Sequence, residues 1–113
     1  MTVRTVPEPA QRGVGISLIA GEETTAIVAQ LRRTQPTVNI VDRGVYTKAD
    51  APDEIVLDLG ELSQELGRPI DVEDVLIVVT SYFGEIIPQR GATPGTGSLV
   101  LRADAIVSGG TGA

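Results

Sequence analysis

The chain contains no histidine and no cysteine, and these absences remove most routes to side-chain catalysis. Without histidine a serine nucleophile lacks its usual base, and the alternative partner, Lys48, has no recognisable motif around it. Without cysteine there are neither disulfides nor thiolate metal sites, which is typical of a reducing compartment. The sequence therefore predicts a cytoplasmic protein without catalytic residues of its own.

Patterns that would bind a metal or a cofactor are missing as well. The acidic segments Asp50–Glu54 and Asp71–Asp74 lack the glycine and the ligand spacing of a calcium-binding loop. Gly13 and Gly15 lack the third glycine of a dinucleotide fingerprint, and Gly91–Gly97 lacks the Lys-Ser/Thr pair of a phosphate-binding loop. We expect no cofactor and no metal, and we interpret Gly91–Gly97 as a mobile hairpin connection.

The sequence also has no long apolar run and no excess of basic over acidic residues. No segment approaches the roughly 20 apolar residues that cross a bilayer, and the N-terminus lacks the apolar stretch of a secretion signal. Acidic residues number 15 against 9 basic ones, so the formal net charge is -6. Because an acidic surface repels phosphate groups, we expect neither a membrane nor a nucleic acid as partner. The charge favours a protein with a basic docking face, although acidic excess also serves solubility alone.

What is present is an aliphatic chain of 113 residues in which Tyr46, Tyr82 and Phe83 are the only aromatic residues. That length supports one domain with a real core. Residues 1–12 and 103–113 show no hydrophobic period, and we predict a flexible N-terminal arm and a flexible C-terminal tail there. The folded body is predicted at residues 13–102.

Hydrophobic periodicity and turn residues divide this body into two successive strand-helix-strand-strand units. The elements of the first unit are predicted at Val14–Ile19, Glu22–Thr34 (a helix), Thr37–Asp42 and Val45–Ala49. Those of the second unit are predicted at Glu54–Asp58, Leu59–Leu66 (a helix), Val75–Val79 and Glu85–Ile87, and a further strand at Ser98–Arg102 is expected to pair with Glu85–Ile87. The fold class is therefore α+β: a compact single domain with mixed or antiparallel sheets and short helices.

Within the second unit, the sequence indicates where the helices begin and end and where a buried strand lies. Asp58 is placed to cap its helix, with Glu61 at the position of a capping box and Gly67 at the left-handed end. Asp71 is expected to start a further helical turn, and Val75–Val79 is predicted as a central strand buried on both faces.

The segment Tyr82-Phe83-Gly84 places two of the three rings side by side at a strand end. Because neighbouring residues of a strand face opposite ways, one ring would enter the core and the other would face out as an interface anchor. In the alternative interpretation both rings cap the core around a bulge at Gly84.

Three sequence blocks, Pro36–Arg43, Glu65–Arg68 and Val79–Gly84, follow one another across most of the chain. In order and spacing they resemble the regulatory (coupling or effector) proteins of soluble diiron monooxygenases, a family that serves methane, phenol, toluene and alkene or propane monooxygenases. No block is diagnostic alone, and the resemblance rests on all three together. It implies that residues 13–102 form an effector domain.

The resemblance implies a non-catalytic protein that binds the diiron hydroxylase, tunes substrate access and oxygen activation, and improves the coupling of reductant use to hydroxylation. The reductase or electron-transfer component is then a candidate competitor for the hydroxylase. The residues implied in partner binding are Asn39, Thr80, Ser81, Tyr82, Phe83 and Gly84. Tyr82 is bulkier than the residue that relatives often carry there. We expect the free protein to be a monomer.

Two other functions belong to different classes. A generic protein-interaction module would bind an extended peptide along a sheet edge, and a pull-down that recovers peptides instead of a hydroxylase would favour it. A stand-alone enzyme would need two carboxylic acids with displaced pKa values in one cleft, and it would act without a partner. The missing residue types argue against the enzyme.

Overall fold

A computed structural model describes residues 13–103 of the chain, so the arm and the tail predicted at 1–12 and 104–113 lie outside the described residues. The strands within this range are β1 (Val14–Ile19), β2 (Asn39–Asp42), β3 (Tyr46–Ala51), β4 (Glu54–Asp58), β5 (Val79–Phe83), β6 (Glu85–Arg90) and β7 (Gly97–Arg102). The helices are α1 (Glu22–Thr34), α2 (Leu59–Leu66) and α3 (Val72–Val78). In this part of the chain, none of them combines the length and the apolar composition needed to traverse a bilayer.

The strands form two antiparallel sheets, which confirms the α+β prediction. The four-stranded sheet has the order β2-β3-β1-β5, and the three-stranded sheet has the order β4-β7-β6. A single core joins both sheets and all three helices. As expected from the composition it is aliphatic, with fully buried side chains that include Leu18, Ile27, Leu57, Leu62 and Leu101.

The prediction of a central strand at Val75–Val79 is wrong, because most of this run is helix α3 and the strand begins only at Val79. The helix starts at Asp71, whose side chain and that of Asp74 form a reciprocal capping box with the backbone. Along the run Val72, Val75 and Val78 are buried, whereas Leu76 and Ile77 are exposed. This spacing of three is helical, and in a short apolar run it is easily taken for a buried strand.

Helix α2 has the ends that the sequence predicts. The Asp58 side chain accepts a hydrogen bond from the Glu61 N–H (3.1 Å), and Gly67 closes the helix with φ of +70°. The reciprocal bond of a capping box is not formed, because the Asp58 N–H donates to the Gln30 side chain instead.

Two glutamine side chains from the end of α1 cover the open edge of β4. The Gln30 amide accepts from the Asp58 N–H (2.7 Å) and donates to the Asp58 carbonyl (3.1 Å). Gln35 accepts from the Val56 N–H (2.7 Å) and donates to the Glu54 carbonyl (3.1 Å). Each amide pairs with the strand as a neighbouring backbone would, and Gln30 is only 2% exposed. The four bonds satisfy edge groups and attach α1 to the three-stranded sheet.

An ion pair joins the start of α1 to the chain after α2. The Arg68 guanidinium lies 3.0 Å from a Glu22 carboxylate oxygen and 2.5 Å from one of Glu23. A backbone hydrogen bond and, next, the Arg68 side chain hold the pKa of Glu23 below its usual value. Hydrogen bonds to Glu22 and Glu23 raise the pKa of Arg68.

The connection Gly91–Gly97, interpreted from the sequence as mobile, is tied to the helices in the structure. The Gly95 N–H donates to an Asp71 carboxylate oxygen (2.7 Å), and the Gly95 carbonyl accepts from the Ser63 hydroxyl (3.0 Å). Gly95 has φ of +76°, and a Cβ there would lie 2.9 Å from Pro69 Cα. The close approach and the left-handed backbone both require glycine at this position.

Replacing Gln30 should destabilise the fold without disturbing the surface. Gln30→Leu preserves most of the side-chain volume but leaves the Asp58 N–H and carbonyl, whose bonds to Gln30 are partly buried, without partners. An unpaired group of this kind costs about 1–3 kcal/mol when it is kept from water. We expect a loss of roughly 2–4 kcal/mol in the free energy of unfolding, measured by urea denaturation. Gln64→Leu, at an exposed site on α2, is the control and should change it by less than about 0.5 kcal/mol. Equal effects of the two variants would contradict the edge-covering role.

Candidate protein-docking face

The predicted site residues occupy strands at opposite edges of the four-stranded sheet. Asn39 lies on β2 and Thr80–Phe83 on β5, with β3 and β1 between them. The register places Asn39 opposite Asp50, Asp50 opposite Gly15, and Gly15 opposite Phe83. Because directly opposed residues of antiparallel strands project to the same side, this row brings Asn39 and Phe83 onto one face of the sheet.

A second row on the same side continues that face. Val41 opposes Lys48, Lys48 opposes Ser17, and Ser17 opposes Ser81. The alternate residues, among them Val14, Ile16, Leu18 and Ala49, point into the core. We call the side away from the core the outer face, defined by Asn39, Asp50, Gly15, Phe83, Val41, Lys48, Ser17 and Ser81.

Phe83 lies flat against Gly15 on this face. A Cβ atom at Gly15 would collide with the Phe83 ring, so the absent side chain makes the space that the ring fills. Phe83 is consequently half-buried although it stands on an edge strand. A glycine that faces an aromatic residue across a pair of strands is a known stabilising combination.

Thr80 is the extra residue of a bulge in β5. Ser17 opposes Ser81 while the next residue, Leu18, opposes Val79, which leaves Thr80 without a partner of its own in the register. The Thr80 hydroxyl donates to the Ser17 carbonyl over 3.3 Å. Bulges of this kind re-aim side chains at sheet edges.

Tyr82 and Gly84 differ from the rest of the predicted set. Tyr82 opposes Ile16, so it leaves β5 on the side opposite to Phe83, and it is 52% exposed beyond the sheet edge. The two rings thus face opposite ways as alternation requires, but neither belongs to the buried core, and the bulge lies at Thr80 instead of at Gly84. Gly84, with φ of +105°, turns the chain from one sheet into the other, where a Cβ would meet the Arg102 carbonyl oxygen at 2.8 Å.

Small side chains leave a depression of about 280 Å³ in the outer face. Its lining includes Gly15, Ser17, Lys48, Asp50 and Phe83. In residues 13–103, carboxylates do not gather into a group of three or more that could hold a metal ion. The face offers hydroxyl, amide and charged groups around a shallow hole, which suits contact with a protein surface.

Sequence reasoning missed Lys48, Asp50, Gly15 and Ser17 as members of this face. The signal was available in β3, where exposed or half-buried Tyr46, Lys48 and Asp50 alternate with buried Thr47 and Ala49. What the sequence did not supply was the register between strands. The register places Lys48 in the same row as Ser81.

The profile of the MmoB/DmpM family matches residues 12–93. The chain belongs to the MmoB/DmpM family. It is 40% identical over 53 residues to methane monooxygenase regulatory protein B of Methylococcus capsulatus (Bath), an alignment that covers 47% of this chain and 38% of that protein.

Solved structures of two kinds share the fold of this member of the MmoB/DmpM family. The structure of a phenol hydroxylase-regulatory protein complex contains a chain with a TM-score of 0.68 and 17% identity, covering 81% of this chain and 99% of that one. Regulatory protein B of soluble methane monooxygenase gives a TM-score of 0.64 and 23% identity, covering 94% of this chain and 72% of that one.

The contact between Gly15 and Phe83 predicts how substitutions at these two positions affect stability. Gly15→Ala should cost roughly 1–3 kcal/mol in the free energy of unfolding, because the added methyl group must displace the ring. In a Phe83→Ala background most of that cost should disappear, which a double-mutant cycle by urea denaturation would measure. In the wild type the ring should also shift the Gly15 Hα resonances, and the shift should be lost in Phe83→Ala. Additive effects of the two substitutions would show that the ring lies elsewhere.

Proposed function

We propose that this chain is the regulatory component of a soluble diiron monooxygenase and acts by binding the hydroxylase component, with no chemistry of its own. The observation that carries the proposal is membership of the MmoB/DmpM family, whose profile covers most of the folded body. The fold supports it, because a chain of the same fold occurs in a phenol hydroxylase-regulatory protein complex. The proposal places the protein in the cytoplasm, as a monomer when free.

The docking surface we propose is the outer face together with the adjoining edge of β5. Asn39, Ser81 and Phe83 share the face, and Thr80 and Tyr82 extend it along the edge. Gly84 contributes through the backbone, since its left-handed conformation sets where β5 ends. Polar groups around a half-buried ring match the composition of non-obligate interfaces, in which aromatic anchors dominate binding.

The sheet edges favour this proposal over a peptide-binding module. Strand addition needs a long, regular edge with free backbone groups. Gln30 and Gln35 cover β4, β6 carries Pro88, β5 is bulged at Thr80, and β2 has only 4 residues. Each exposed edge in the described structure therefore has a feature that opposes pairing with another strand.

Binding can regulate the hydroxylase only through a difference in affinity between two hydroxylase states. A coupling of about 1–3 kcal/mol between effector binding and the oxygen-reactive state shifts that equilibrium roughly 5- to 150-fold. The effector therefore needs better contacts with one arrangement of the hydroxylase surface, not a reactive group. Substrate access and the coupling of reductant use to hydroxylation would follow from which arrangement it stabilises, in competition with the reductase.

Substitutions on the docking surface should lower coupling without unfolding the protein. With the cognate hydroxylase and reductase, Ser81→Ala and Tyr82→Ala should raise the effector concentration for half-maximal product formation by roughly 3- to 10-fold, because each removes a contact worth about 1 kcal/mol. The measurement is product formed per reductant consumed as effector is titrated. Gln64→Ala, on α2 away from the face, is the control and should behave as wild type. Wild-type coupling by both site variants at limiting effector would contradict the assigned surface, and no effect of the wild-type protein would overturn the function.

A further inference from the structure

Most cations of the described structure are neutralised by a neighbouring carboxylate. The pairs are Arg33 with Glu61 at 2.7 Å, Arg68 with Glu22 and Glu23 at 3.0 and 2.5 Å, Arg90 with Glu73 at 2.5 Å, and Arg102 with Glu54 at 3.4 Å. In residues 13–103, Arg32, Arg43 and Lys48 have no carboxylate oxygen within 4.0 Å. Among the described residues, these three are the cations without a carboxylate neighbour.

Two of the three unpaired cations lie on the outer face or its extension. Lys48 is exposed in the same row as Ser17 and Ser81. The Arg43 N–H donates to the Tyr46 carbonyl (2.8 Å), which continues the ladder by one residue, so Arg43 projects on the same side as Val41. Arg32 lies on helix α1.

With Arg43 beside its rows, the outer face carries two cations and one carboxylate, a local balance of +1 in a chain of net charge -6. Asp50 is the one carboxylate in the two rows that define the face, against Lys48 within the rows and Arg43 beside them. Lys48 and Asp50 flank the depression over Gly15 and Ser17, and both take part in its lining. A depression of about 280 Å³ has room for one protruding side chain.

We propose that the outer face receives an acidic side chain of the hydroxylase, placed against Lys48 in this depression; the inference rests on the function proposed above. The overall charge points the other way, toward a basic partner, but within residues 13–103 carboxylates without a cation inside 4.0 Å, such as Glu65, Asp71 and Asp74, lie on or beside the helices and off the outer face. An acidic partner group is attracted by Lys48 and Arg43 here and meets the acidic excess of the chain elsewhere. The difference in charge between the outer face and the rest of the surface would orient the protein as it approaches the hydroxylase, and it would also strengthen the contact.

Three charge variants decide the sign of the partner group, with hydroxylase binding measured by calorimetry at low ionic strength. Lys48→Gln should raise the Kd roughly 3- to 10-fold, and Asp50→Asn should lower it about 2- to 5-fold. Arg32→Gln changes the net charge by the same amount as Lys48→Gln but lies off the face, so its Kd should stay within about twofold of wild type. As the ionic strength rises, the three values should converge, since screening weakens exposed charge pairs.

The outcomes separate this inference from the proposed function. Tighter binding by Lys48→Gln, or weaker binding by Asp50→Asn, would mean a basic partner group and would overturn the inference. Equal changes of Kd in Lys48→Gln and Arg32→Gln would show that only the net charge matters, which would also overturn the inference. If the Lys48 variant binds normally while Ser81→Ala weakens binding, the proposed function is supported and the acidic contact is contradicted. If wild-type protein does not bind the hydroxylase, both fall.

Discussion

The pairing of helix α1 with the open edge of β4 is the contact on which the rest of the architecture depends. Through Ile27 and Leu31 the helix joins the common core, and through Gln30 and Gln35 it takes the place of a missing neighbour strand. Amide side chains can do this because each carries one donor and one acceptor, the same pair that a backbone residue presents. The three-stranded sheet is thereby closed on one side and tied to the helix that follows β1.

The position of β5 is a consequence of what precedes and follows it. Helix α3 leads into it without a loop, since the helix ends at Val78 and the strand begins at Val79. At the other end Gly84 alone separates β5 from β6, which belongs to the other sheet. A strand held at both ends this way keeps Ser81 and Phe83 in a fixed place, and fixed geometry lets a small surface discriminate between two shapes of a partner.

The sequence predicts the elements well where local signals agree and less well where tertiary contacts decide. Asp58 and Gly67 mark the ends of α2 through cap chemistry, which is local and was found. Val75–Val79 fits a strand or a helix by its apolar, largely β-branched composition, and only burial of every third residue identifies the helix. Gln30 looked like an ordinary polar helix residue, because its partner lies 28 positions away.

The docking face is also formed by contacts between distant parts of the chain, which local sequence signals do not give. A family resemblance pointed to Asn39, Ser81 and Phe83 from separate parts of the chain, and strand register places them on one surface. Period-two alternation alone would have separated Tyr82 from Phe83 but could not have placed Lys48 beside Ser81, because register depends on pairing between distant strands.

The charge of a docking site also depends on the register, because the register decides which charged residues share a face. A net charge of -6 describes the average of the surface, while a partner meets only one face of it. The acidic excess therefore does not fix the sign of the partner surface, because Lys48 stands on the proposed docking face and most of the fifteen acidic residues do not.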